Sequence, residues 1–188
     1  MWRFLLLFSV LPIAAALIAR WFFGLRVLAE VGNRTCRCDL GKWMPLATDS
    51  ALVHRAEESA AEFGRQLRLK ALSEWHEREP QAALAREKSR RFGMAVPPLS
   101  GIIAIFAILV AKIPFIGGIS VLLAATALAT IFGVLSLAPE LATLVQAARK
   151  IRENQSFPRR DDADAVIRCA VAHAWKETLP PILGFFQR

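Results

Sequence analysis

Between Leu99 and Ala138 the chain carries one charged residue, Lys112. These 40 residues are about twice the ~20 that one helix needs to cross the hydrocarbon of a bilayer. In lipid the backbone must satisfy its own hydrogen bonds, which leaves the α-helix as the form such a run takes. Its middle, "KIPFIGG" from Lys112 to Gly118, supplies the turn residues Pro114, Gly117 and Gly118. The pattern predicts a helical hairpin: one helix from Leu99 to Lys112, a tight turn, and a second helix from Ile119 to Ala138. At that length the first helix is short for a full span, and the bilayer would thin around it.

A second apolar run extends from Phe4 to Phe23. Its one charge, Arg20, lies near the end, where a long side chain reaches the headgroups. Trp21, Phe22 and Phe23 follow as an aromatic interface anchor. Arg3, an apolar run and small alanines also fit a cleaved signal peptide. The continuation into bulky aromatic residues favours a retained anchor. The organisation expected is therefore all-α: 1–23 an N-terminal transmembrane anchor, 24–98 a cytoplasmic helical segment, 99–138 the hairpin, and 139–188 a cytoplasmic amphipathic helical tail.

Charge orients this arrangement. Segments 24–98 and 139–188 hold 21 of the 24 Lys and Arg residues. Cytoplasmic flanks of membrane spans are enriched in these residues. That places the C-terminus in the cytoplasm and the N-terminus outside an inner membrane. The net charge of +8 then faces a lipid bilayer with anionic headgroups, and no nucleic-acid partner is needed to explain it. No acidic residue lies within a span, which disfavours an ion or proton pathway. Small residues repeat at helical spacing in the spans: Ala15 and Ala19, Ser100 and Ala104, and Ala125, Ala129 and Gly133. Such stripes allow close helix packing, and other membrane subunits or a second copy are the expected protein partners.

The polar segments also read as helices. From Asp49, residues Leu52, Ala56, Ala60, Phe63, Leu67, Ala71 and Trp75 recur at spacings of three and four. Pro80 must interrupt this helix near Glu77 and open the next as its first residue. That next helix is expected to end at Gly93. Pro139 to Glu153 reads as a helix, "NQSFPRR" as a break, and Asp161 or Asp162 as the cap of a helix carrying Val166, Cys169, Ala170, His173 and Ala174 on one face. "LPPILGFFQR" is too short to span and would lie at the membrane surface or dock on other helices. No strand is strongly indicated.

Three cysteines, Cys36, Cys38 and Cys169, do not make a disulfide framework on a cytoplasmic face. Arg34 and Arg37 flank the Cys36-Cys38 pair and would favour thiolates. The closest approach to a metal motif is His76-Glu77 in "ALSEWHEREP". In H-E-x-x-H two His ligands one turn apart hold zinc and the Glu acts as base. Here Pro80 stands where the second His would be. His54 lies 22 residues before His76, about 33 Å along a continuous helix, too far to share its metal.

The order "ALSEWHEREP", "REKSRRFGMAVPP", apolar hairpin, "LAPELATL" and "DADAVIRCAVAHAWKETL" resembles the membrane-bound neutral zinc metallopeptidases of bacteria, from about residue 70 onward. That resemblance implies an N-terminal anchor leading into the cytoplasm. It matches His76 to the first zinc ligand, Glu77 to the catalytic base and Glu140 to an acidic position after the hairpin. The second ligand is missing, and the polar region before His76 is shorter than the family's. By itself, Glu140 is a first-turn carboxylate favoured by the helix dipole. The expectation is a degenerate relative: a non-catalytic structural or accessory inner-membrane protein, part of a larger assembly, with no cofactor. The alternative is a zinc metallopeptidase with an unconventional second ligand, using His76, Glu140 and Glu77. A small transporter or channel component ranks third.

Overall fold

A computed structural model describes residues 2–43, 56–110 and 112–178. The chain is mostly helical. Helix α1 (Trp2–Arg20) passes through a π turn (Trp21–Leu25) into α2 (Arg26–Val31). Strand β1 (Thr35–Arg37), a short α3 (Leu40–Trp43) and strand β2 (Glu57–Ser59) follow. Then come α4 (Ala60–Arg78), α5 (Pro80–Leu109), α6 (Phe115–Leu135), α7 (Leu137–Glu153) and α8 (Arg160–Lys176). Among the described residues, three helical stretches are long and apolar enough to cross a membrane: Phe4–Val31, Pro80–Leu109 and Phe115–Glu153.

Several expectations need correction. The fold is not purely helical, because β1 and β2 pair antiparallel with Thr35 opposite Ser59 and Arg37 opposite Glu57. The helix expected from Asp49 starts, within the described residues, only at Ala60. Glu57 to Ser59 are extended because the strand pairing holds them, and just before them Cys38 N–H donates to Ala56 O (2.8 Å). Residues 49–55, with His54, lie outside the described residues, as does the apolar segment 179–188. The Pro80 boundary is where the sequence placed it: α4 ends at Arg78, Glu79 leaves the helical region (φ −135°, ψ 68°), and Pro80 opens α5.

Helix α5 does not end at Gly93. It continues for 30 residues through Pro97 and Pro98 to Leu109. A proline ring clashes with the carbonyl four residues earlier in a helix. For Pro97 that residue is Gly93, whose backbone, without a Cβ, has more freedom to turn its carbonyl from the ring. The first hairpin helix is therefore not short, because the basic stretch before it is its own N-terminal extension. The second starts at Phe115 rather than Ile119, so Gly117 and Gly118 are helical instead of forming the turn.

By packing, the chain divides into two units: 1–19, 85–137 and 177–188 form one, and 20–84 with 138–176 the other. In the first, Ile13 and Ala16 of α1 bury against Ala127 of α6, with Leu17, Leu123 and Val134 around them. Ser120 donates to the carbonyls of Ile116 (2.8 Å) and Trp2 (3.2 Å). The glycines of "IGG" serve packing. A Cβ at Gly117 would meet the Trp2 ring at 3.2 Å, and one at Gly118 would collide with Ile108. Ala104, Ala129 and Gly133 of the small-residue stripes are buried, whereas Ala15 is exposed. Facing away from these contacts, Phe8, Phe106 and Leu109 remain 72%, 69% and 77% exposed.

In the second unit, α4 crosses α8 at Gly64, where Cys169 and Ala170 pack directly on the glycine. Trp43, Phe63 and Phe157 form an edge-to-face trio with ring centroids 5.3–5.5 Å apart, an arrangement that aromatic quadrupoles favour. Gly24 in the π turn lets α8 approach so closely that a Cβ there would stand 3.4 Å from Ala172 O. Beside it Phe23 stacks on Trp175 at 5.5 Å.

Candidate functional site

The helix that carries His76 and Glu77 is well made. Ser59 caps α4 by accepting from Glu62 N–H at 3.3 Å. Glu62 sits in the first turn, where the helix dipole favours a carboxylate. The hydrogen bond it accepts from Arg65 (2.6 Å) is the main cause holding its carboxyl below the usual range. At the other end Trp75 is buried, and its indole N–H donates to Glu79 Oε2 at 3.3 Å. His76 and Glu77 occupy the exposed side of this last turn. Residue 80 belongs to the next helix, so positions 76 and 80 do not share the one continuous face on which a pair of zinc ligands depends.

Glu140 lies in the first turn of α7, as its sequence position implies, but the helix dipole is not its main partner. Its side chain is 1% exposed, and Oε1 accepts from Arg68 Nε at 2.7 Å. Arg68 is itself 7% exposed. Thr143 donates its hydroxyl to the Glu140 carbonyl at 2.8 Å. Arg68 precedes His76 on α4 by eight residues, about 12 Å. The structure thus brings Glu140 to the middle of α4 and not to the His76-Glu77 end.

Arg68 is the residue that sequence reasoning missed. Its signal was present: it follows Gly64 by four and precedes Ala71 and Trp75 by three and seven, a buried row on α4. A cation in such a row requires a buried acid from elsewhere in the fold.

The remaining candidate ligands are not gathered either. His173 stands 3.0 Å from Ala61 O through Nε2, so that nitrogen carries a proton and donates, joining α8 to α4. Among the described residues no group of three His, Cys, Asp or Glu side chains is placed to hold a metal. A polar cleft of about 810 Å³ lies between α3, the end of α7 and the start of α8. Its acids are engaged: Asp164 by Arg152 (2.7 Å) and Asp39 by Gly41 N–H (3.1 Å).

The cysteines correct another expectation. Cys36, Cys38 and Cys169 are all buried. Burial pushes the Cys36 thiol up to about 11, Asp162 pushes it the same way, and Arg34 opposes them more weakly. Arg34 is committed to Asp162 at 2.9 Å, so it does not make a thiolate. Burial raises Cys169 to about 11, with a further push from Cys36, and burial also raises Cys38.

A pH dependence follows. For Cys36 and Cys169 the folded state keeps protons that the unfolded state releases above the ordinary value of 9.0. Their contribution is fully present below about 9 and is lost as pH rises toward about 11, with a slope of about 1.4 kcal/mol per pH unit for each thiol. Melting temperature should fall across that window and fall less steeply in Cys36→Ser; identical slopes would refute the assignment. At neutral pH all three thiols should resist alkylation until the chain unfolds.

No protein-family model, curated protein or solved structure matches the chain.

Proposed function

We propose that this chain is a structural or accessory protein of an inner membrane, built on three spans and assembling with other membrane subunits or with itself. Segments 24–98 and 139–188 face the cytoplasm and the N-terminus lies outside. We further propose kinship with the bacterial membrane-bound neutral zinc metallopeptidases, with the scaffold kept and the zinc site lost.

The observation that carries the non-catalytic reading is the engagement of Glu140. A catalytic zinc commonly takes about three protein ligands and leaves one position open to water. Glu140, the acid that the resemblance offers to complete a site with His76, is hydrogen-bonded to buried Arg68 instead. Without a metal-bound water, Glu77 has nothing to deprotonate. The membrane reading is supported by the apolar side chains left exposed along α1 and α5, and the orientation by the Lys and Arg distribution.

One preparation tests both parts. Cysteines introduced at Asn33 and Arg168, exposed positions in the two polar segments, are probed in intact cells and inverted vesicles with an impermeant maleimide; the buried native thiols give little background. Labelling only in inverted vesicles is expected, and labelling in intact cells overturns the orientation. The purified chain is then assayed for metal. Stoichiometric zinc that is lost on His76→Ala, with peptidase activity lost on Glu77→Gln, would put the zinc metallopeptidase with an unconventional second ligand in first place.

A further inference from the structure

We infer that Lys88, Arg90 and Arg91 of α5 form a binding surface for the phosphate-bearing headgroups of anionic lipids. The inference rests on the membrane-spanning reading above and gives that partner a place on the chain.

One stripe of α5 is turned toward α6. Arg86 donates to Gly133 O at 3.2 Å and Ser136 Oγ at 2.5 Å, and the Ser89 hydroxyl donates to Phe132 O at 3.3 Å. Gly93, Pro97 and Ala104 continue that stripe and are buried. The spacings of three and four put them all on one face. The opposite stripe, at the same spacing, runs Lys88, Arg91, Ala95, Leu99, Ile102 and Phe106, and all six are exposed. Its last three are 57%, 66% and 69% exposed and apolar, a surface suited to lipid tails. Followed toward the N-terminus, that same stripe becomes cationic.

Length fixes where the change falls. Arg91 and Leu109 are 18 residues apart, about 27 Å along a helix. The hydrocarbon core is ~30 Å thick. With Leu109 at one boundary, Arg91 stands at the other, and Lys88 and Arg90 lie within a turn of it. Arg86 is occupied by the end of α6. The single acid in the stretch, Glu87, sits 3.1 Å from Arg91 and 3.8 Å from Arg90. Three cations therefore face one carboxylate, and among the described residues Lys88 has no ion pair. Guanidinium forks suit phosphate oxygens, and an ammonium at the same depth adds a point charge.

The test uses the full chain in a neutral detergent, offered phosphatidylglycerol or phosphatidylcholine, with retained lipid counted by native mass spectrometry. Phosphatidylglycerol should be retained preferentially. Each cation removed should lower that preference about fivefold, and K88Q/R90Q/R91Q should abolish it. Arg168→Gln, an exposed cation on α8, should change nothing. Added salt should weaken the preference. Millimolar inorganic phosphate at matched ionic strength should not compete; competition would mean a site for the free ion and would overturn the headgroup assignment. Equal retention of both lipids, or an unchanged preference in a triple variant of wild-type helicity, also overturns it. Insertion into pure phosphatidylcholine vesicles, read by resistance to alkaline extraction, separates the two readings. Failure to insert sinks the spanning proposal, whereas insertion without lipid preference sinks only this one.

Discussion

Glu140→Ala is expected to cost about 3–5 kcal/mol, because it leaves the Arg68 guanidinium, 7% exposed, without its 2.7 Å carboxylate partner in a site closed to water. For a chain of this size that corresponds to a fall in melting temperature of roughly 6–20 °C. The magnitude separates two accounts of the residue. A carboxylate valued only for its place in the first turn of a helix contributes about 0.3–1 kcal/mol. Arg68→Ala should be comparably damaging. Arg68→Met with Glu140→Leu should recover most of the loss, since an apolar pair of similar volume avoids the desolvation of both charges. Thermal unfolding of the four proteins decides it; a Glu140→Ala shift of about 2 °C or less would mean that the pair contributes little.

Gly64→Ala should also destabilise, against the usual sign for a helix interior. Glycine in mid-helix is about 0.5–1 kcal/mol worse than alanine. Here an added Cβ would lie 2.7 Å from both Ala170 N and Cys169 Cβ. The first of these is backbone and cannot rotate away, so α8 must shift. Overpacking of this kind costs about 1–3 kcal/mol, which outweighs the gain in propensity, and Gly64→Leu should abolish the α4–α8 contact. Displaced α8 would uncover Cys169, so thiol reactivity at neutral pH should rise along with the fall in melting temperature. Gly101→Ala is the internal comparison. Its Cβ would meet Leu122 Cδ1 at an ordinary 3.5 Å, and no destabilisation is expected. If Gly64→Ala melts at or above the wild type, the crossing is looser than drawn.

What could be read from the sequence was local. Pro80 stops one helix and starts another because its ring and missing N–H act within one turn, and the structure places the break there. The apolar runs announce their helices through length alone. Tertiary demands decided the rest. Gly93 carries a stop signal, but α5 runs on because its buried face continues past Pro97 to Ala104. Gly117 and Gly118 look like a turn, but their missing side chains make room for Trp2 and Ile108. Strands of three residues are too short to show a period, and their pairing joins positions twenty or more apart. The Arg68–Glu140 pair spans 72 residues. Either residue alone reads as an ordinary helix charge, and only the fold makes them one buried unit.

In the membrane-spanning arrangement proposed above, Pro97 and Pro98 would also set a vertical position. Two successive residues without an N–H leave the carbonyls of Gly93 and Met94 with no α-helical donor. In mid-hydrocarbon, each such acceptor costs several kcal/mol. Within a turn of the headgroups, where water still penetrates, they cost less. Gly93 and Met94 follow Arg91 by two and three residues, about 3–4.5 Å deeper along the helix. The same prolines that fail to stop α5 thus act as a depth gauge. Sliding the helix inward by a turn would strand the two carbonyls in oil, and sliding it outward by a turn would draw Lys112, three residues past Leu109, toward the hydrocarbon. A helix held in this way would tolerate little variation in bilayer thickness, and its fit would select the membranes in which the chain can settle.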